Sequence, residues 1–186
     1  GQHSHGSQGA HTHRGTDPHG WMDPWLALEQ AKSIQAHAIA KGWVQPEVAA
    51  ERYAALERRL LALDARWIAV RDFLGGRAVL ANHAAYEYPA KRYGIEVHVV
   101  DVDPDTELSA ETRSRLEQAA KDHGPASMWF ESAPHATVVE FLSNDLEIPV
   151  RVLSPAESPS DRDAIDSLAA DLENLIAPLA THPSPK

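Results

Sequence analysis

Eleven histidines and no cysteine set the chemistry open to this 186-residue chain. Imidazole and carboxylate are its metal donors, and the lack of thiols excludes thiolate zinc, thiol redox chemistry and a disulfide framework. His3, His5, His11 and His13 form two H-x-H pairs within "HSHGSQGAHTH". Neutral imidazoles on such a tether can bind Zn2+, Ni2+ or Cu2+, although ordering the tether opposes tight binding. His19 follows in "GTDPHGWMDPW", delivered just after Pro18, whose ring locks its own φ. Further on, His83, the pair Asp101 and Asp103, Glu131 and Ser154 each end a short apolar run. An imidazole with carboxylates and no cysteine suits zinc or manganese.

Each of these residues also has a plainer use. His83 can cap the helix that follows it or bond a backbone group, and Glu131 can bond loop amides. Asp101, Asp103 and Asp105 surround Pro104 and fit a turn. His37, His98, His123 and His135 have no partners at ligand spacing and are read as structural. Trp43 and Trp67 are read as core or packing residues.

The elements that must position these side chains follow from pattern and punctuation. Residues 1–16 hold almost nothing apolar and are expected to be disordered without a ligand. Asp23-Pro24 opens a first helix, with Asp23 as cap and Pro24 at the first helical position. Gln45-Pro46 opens a second, which Gly75-Gly76 closes. Tyr53, Leu56, Leu60, Leu63, Trp67, Val70 and Leu74 recur at steps of three and four along it. About 29 residues make a rod roughly 43 Å long.

After the rod the period changes. "RAVLAN", "EVHVVDV", "ASMWFE" and "PVRVL" read as strands, each followed by a helical stretch. The second of those helices starts at a Ser109 cap. Four β-α units with apolar strands predict an α/β fold: a four-stranded parallel sheet flanked by helices and preceded by the long backbone helix. Three parts result: a His-rich loop over 1–16, the DPHxW motif with two helices over 17–76, and an α/β lobe over 77–186 ending in a disordered tail. In open α/β sheets ligands bind beyond the carboxyl ends of the strands, where His83, Asp101, Asp103, Glu131 and Ser154 lie.

Charge limits the partners. A formal net charge of −10 and the lack of a Lys/Arg cluster argue against a nucleic-acid partner and suit a protein that concentrates cations. No apolar run reaches the roughly 18 residues of a membrane helix, and no signal peptide opens the chain.

"DPHGWMDP", the long rod, "ANHAAYEYPAKRYGI" and "WFESAPHATVVEFLSNDLEIPVRVL", in that order, resemble the substrate-binding proteins of zinc and manganese ABC transporters. The resemblance covers nearly the whole chain. It implies one lobe of a two-lobed periplasmic metal-binding fold, with His19 and His83 as the imidazole ligands. The family's acidic ligand follows the last strand, where this chain has Ser154, so Glu157 is the expected substitute if the loop bends inward. Glu131 matches a family glutamate that more commonly supports the loops, and it is a fallback ligand. His11 or His13 could fold back to complete the shell. The family's first lobe, which carries a further histidine ligand, is not in this chain. The chain is therefore expected to be the second, C-terminal half of such a receptor, meeting a missing first lobe or a metallochaperone.

The implied function is binding of a divalent metal ion, zinc ahead of manganese, as part of an extracytoplasmic, periplasmic receptor that serves an ABC transporter permease. It is not an enzyme in this reading. Two alternatives come from other classes: an interaction module that has lost high-affinity metal binding, and a metallohydrolase with Glu131 as general base.

Overall fold

The computed structural model describes residues 18–157 and 161–178. The disorder expected for residues 1–16 and for the C-terminal tail, and the tether ligands His11 and His13, lie outside the described residues.

A short 3-10 turn, Gly20–Met22, leads into α1, Pro24–Ala40. Asp23 caps α1 as expected, its carboxylate accepting from Trp25 N at 2.9 Å and Leu26 N at 3.3 Å. Helix α2 runs Pro46–Leu74, 29 residues. It stops at Gly75, whose φ of 59° is the left-handed conformation that glycine adopts without a Cβ penalty. The apolar stripe is buried from Leu60 to Leu74, while Tyr53 and Leu56 are half-buried. The difference follows from what each half of the rod meets. Its start packs on α1, and its later turns pack on α6 (Ala164–Ile176) and the sheet.

The strands are short: β1 Val79–Ala81, β2 Val97–Val99, β3 Met128–Phe130 and β4 Val150–Val152. All three neighbouring pairs are parallel, in the order β2-β1-β3-β4. The predicted four-stranded parallel α/β lobe behind a long helix is the fold of the chain. Helices α3 (Glu87–Tyr93), α4 (Ala110–His123) and α5 (Ala136–Glu140) provide the other crossovers. The Ser109 cap of α4 forms, with Thr112 N donating to Ser109 Oγ at 3.0 Å.

Side-chain alternation along the strands sends residues into two separate cores. Val79, Ala81, Trp129 and Leu153 join Trp67, Val70 and the α6 leucines on one face. Leu80, Met128 and Phe130 join Leu116, Val138 and Leu142 on the other. The central strands β1 and β3 are therefore buried on both faces, while the edge strands β2 and β4 are half-open, with Val99 and Val152 exposed.

Two expectations need correction. Trp43 is not a core residue: it is 74% exposed at the α1–α2 turn, with its ring edge to His37. The helix expected from Ala136 onward is α-helical only to Glu140 and continues as a π turn, Phe141–Asp145. Leu146 N reaches back to Phe141 O at 3.2 Å, an i to i+5 bond that widens the helix while Phe141 and Leu142 both stay buried.

Candidate metal centre

Strand order locates the crevice. The chain passes from β1 outward to β2, then crosses to the other side of β1 to form β3. The topological switch point is therefore the gap between the carboxyl ends of β1 and β3. His83 comes two residues after Ala81, and Glu131 comes directly after Phe130. They meet there, with His83 Nε2 and Glu131 Oε2 3.3 Å apart.

Asn82, buried directly before His83 in the sequence and in contact with both residues, fixes this corner. Its Oδ1 accepts from Glu131 N at 3.2 Å and lies 3.5 Å from His83 Nδ1. Its backbone N–H donates to Trp129 O at 3.0 Å. With Asn82 Oδ1 able to accept from Nδ1–H, Nε2 is the ring nitrogen that faces the carboxylate and that a metal ion would take in place of a proton.

His19 arrives from outside the sheet. It begins the 3-10 turn, its carbonyl accepting from Met22 N at 3.0 Å. Two further residues of the "DPHGWMDP" stretch hold that turn against the lobe. Asp23, besides capping α1, accepts from Arg92 Nε of α3 at 2.5 and 2.6 Å. Trp21 Nε1 donates to Pro155 O in the loop after β4 at 2.7 Å. The same loop is tied from below by Tyr86, whose hydroxyl donates to Leu153 O at 2.7 Å.

That loop carries Glu157, and its path explains where the carboxylate ends up. Ala156 sits at φ 56°, a left-handed conformation that costs a residue with a Cβ about 1–2 kcal/mol. Its N–H is held by Ser154 Oγ at 3.2 Å. The kink turns Glu157 toward the switch point, where its Oε1 pairs with His19 Nε2. Ser154 serves the loop backbone; its own N–H donates to Asp171 Oδ2 at 3.0 Å.

Two imidazole–carboxylate couples thus face each other, His19 with Glu157 and His83 with Glu131. The two rings meet edge to face with centroids 5.8 Å apart. Two imidazoles sharing one tetrahedral zinc would stand about 5 Å apart at their centroids, given Zn–N bonds near 2.0–2.1 Å. Both rings are buried, while the side chains of Glu131 and Glu157 are 18% and 36% exposed. The arrangement can hold a divalent cation: two neutral nitrogens, up to two carboxylate oxygens, and a path to water on the Glu157 side. The same electrostatics act on Tyr86, whose hydroxyl is pushed up by burial first and by the Glu131 charge second.

Of the residues singled out from sequence, His19, His83, Glu131 and Glu157 come together. Asp103 does not join them; its carboxylate closes a turn by accepting from Asp105 N at 2.9 Å. Sequence reasoning missed Asn82, Arg92 and Trp21. Asn82 had one available signal, its position between an apolar strand and a ligand-type residue. His98 and His123, read as structural and without partners, do have partners: they stack on each other at 3.5 Å, beside Glu96.

Comparison with known proteins agrees with the resemblance. The family described as "ZnuA: Zinc-uptake complex component A periplasmic" matches residues 1–177. The zinc-binding lipoprotein AdcA of Streptococcus pneumoniae is 29% identical over 164 residues, which is 88% of this chain and 32% of that protein. The high-affinity zinc uptake system protein ZnuA of Bacillus subtilis is 27% identical over 145 residues, 77% of this chain and 46% of that protein. The chain therefore spans less than half the length of these relatives, which are zinc-binding and zinc-uptake proteins by name and not enzymes. Two solved structures share the fold. The Zn(II)-bound ZnuA-like domain of S. pneumoniae AdcA matches with a TM-score of 0.76 at 24% identity, covering 86% of this chain and 62% of that one. The metal-dependent lipoprotein YcdH of B. subtilis matches with a TM-score of 0.73 at 24% identity, covering 87% and 65%. On the match over residues 1–177, the chain belongs to the family of periplasmic component A of zinc-uptake complexes.

Proposed function

We propose that this chain binds zinc, ahead of manganese, through His19 and His83, with Glu157 as the acidic ligand and Glu131 in reserve beside His83. The observation that supports this most is the pair of facing imidazole–carboxylate couples at the β1/β3 switch point. A cation that replaces the ring protons meets two borderline nitrogens and hard oxygens, a donor set zinc accepts and manganese accepts less readily. The relatives named above bind or take up zinc, and the family's role supports an extracytoplasmic receptor that hands its cargo to an ABC transporter permease. Two imidazoles and one carboxylate leave a tetrahedral ion one ligand short, and water, a tether histidine such as His11 or His13, or a histidine on a separate lobe would complete it.

Glu131 does not serve as a general base in this reading, because its carboxylate faces the His83 ring nitrogen. The test is thermal unfolding with and without zinc. Zinc raises the melting temperature of the parent chain, and His19→Ala combined with His83→Ala removes that shift, each protein being compared with its own metal-free melting temperature. An undiminished zinc shift in the double variant overturns the assignment.

A further inference from the structure

A second cluster of metal donors lies on the opposite rim of the sheet, and the proposed receptor site makes no use of it. Among the described residues, Glu96, His98 and His123 form a group of three donor side chains whose ligand atoms all lie within 4.8 Å of one another. Glu96 and His98 flank Val97 at the start of β2, so the two-residue period of a strand puts both side chains on one face. That face is the one Leu80 shares, since Leu80 pairs with His98 and belongs to the core under α4. His123 is the last residue of α4, which packs over that face, and helix carboxyl ends in a parallel α/β layer return to the amino ends of the strands. Crossover geometry, not sequence proximity, brings His123 to the other two.

We propose that Glu96, His98 and His123 form an accessory, solvent-accessible site for a divalent transition cation, zinc above all, separate from the His19/His83 centre.

Three features support it. The donor set, two imidazoles and one carboxylate, is one that zinc takes in sites with an open fourth position. Two of the donors already share a contact, His98 Nε2 to Glu96 Oε1 at 2.7 Å, which shows that the carboxylate reaches the ring nitrogen a metal would use. The third sits at a helix carboxyl end, where the last carbonyls favour a positive charge. The rings stack at 3.5 Å with their planes 15° apart, so the lone pairs of the two rings lie in nearly parallel planes and do not converge on one point. Binding must tilt one ring and draw the donors from within 4.8 Å to about 3.3 Å, the edge of a zinc tetrahedron. Glu96 and His123 are exposed and His98 is half-buried, so rotation about side-chain bonds suffices and the backbone need not move. Water fills the fourth position. An open surface site of this kind binds more weakly than a buried one and exchanges its ion with solvent, which suits a local zinc reservoir on an acidic receptor.

The test is a zinc chloride titration of the histidine-15N-labelled chain, followed by long-range 1H–15N spectra of the imidazoles. It is run in the His19→Ala, His83→Ala background, so that failure of the receptor site cannot imitate failure of this one. The expected result is that the His98 and His123 ring nitrogens shift together with a common midpoint. His98→Gln then abolishes the zinc response of His123, and Glu96→Gln raises the midpoint by more than about tenfold, beyond the lower range for outer-shell changes. These side chains are not fully buried, so the variants should melt within about 2 °C of their parent in EDTA, which separates lost ligation from lost fold. Rings that do not respond at saturating zinc, or a His123 response that keeps its midpoint in His98→Gln, would overturn the proposal.

Discussion

Asp23 performs two tasks with one carboxylate, and separating them tests how His19 is held. It caps α1 through Trp25 N and Leu26 N, and it pairs with Arg92 on α3 at 2.5 and 2.6 Å. Its side chain is 4% exposed and that of Arg92 is 35% exposed, so water reaches only one end of the pair. The pair should therefore contribute more than the roughly 0–1 kcal/mol of a surface bridge and less than the roughly 3–5 kcal/mol lost on breaking a fully buried one. Asp23→Asn keeps an oxygen for the cap and removes the charge, at about 1–2 kcal/mol. Asp23→Ala removes the cap as well, adding about 1 kcal/mol, for about 2–3 kcal/mol in total. For a chain of this length those losses correspond to about 2–8 °C and 4–12 °C in melting temperature. Urea unfolding followed by tryptophan fluorescence in EDTA measures both, and a cycle with Arg92→Met should return a coupling of about 1–2 kcal/mol. The reasoning fails if Asp23→Asn is as stable as the parent, or if Asn and Ala at this position cost the same.

Two further outcomes follow from the packing. Trp67 is fully buried between Tyr93, stacked at 5.8 Å, and Trp129, so Trp67→Ala should cost about 3–5 kcal/mol by urea unfolding, and a loss under 1 kcal/mol would mean the rod is not part of the lobe's core. Burial raises the Asp171 carboxyl above its ordinary 3.8, with the Ser154 N–H and Arg162 pulling the other way. The folded chain then binds this proton more tightly than the unfolded one. The contribution is full below pH 3.8 and is lost as pH rises through the folded value. Relative to Asp171→Asn, the parent should lose stability as pH rises above 3.8, and a relative gain on that side would contradict the sign.

What could be read from the sequence was what is local. The caps and the apolar stripe of α2 depend on neighbours three and four residues away, and residues Pro46 to Leu74 follow that pattern to its ends. His83 and Glu131 could be placed because a rule about strand ends needs only the strands. Glu157 could be named but not positioned: its approach to His19 depends on the left-handed Ala156 and on Trp21 reaching Pro155, contacts across more than a hundred residues. The pairing of His98 with His123 was invisible because it needs the register of β2 against the end of α4. Trp43 misled because an aromatic at a turn has the composition of a core residue and the exposure of a surface one. The π turn after Glu140 left no mark either, since widening a helix by one residue hardly disturbs its apolar period.

The most direct test of the central claim is diffraction from zinc-soaked crystals, with data collected on both sides of the zinc absorption edge. The account predicts an anomalous peak in the crevice beyond β1 and β3, within bonding distance of His19 Nε2, His83 Nε2 and a Glu157 oxygen. Full zinc occupancy elsewhere on the chain, with no peak between those two imidazoles, would contradict it.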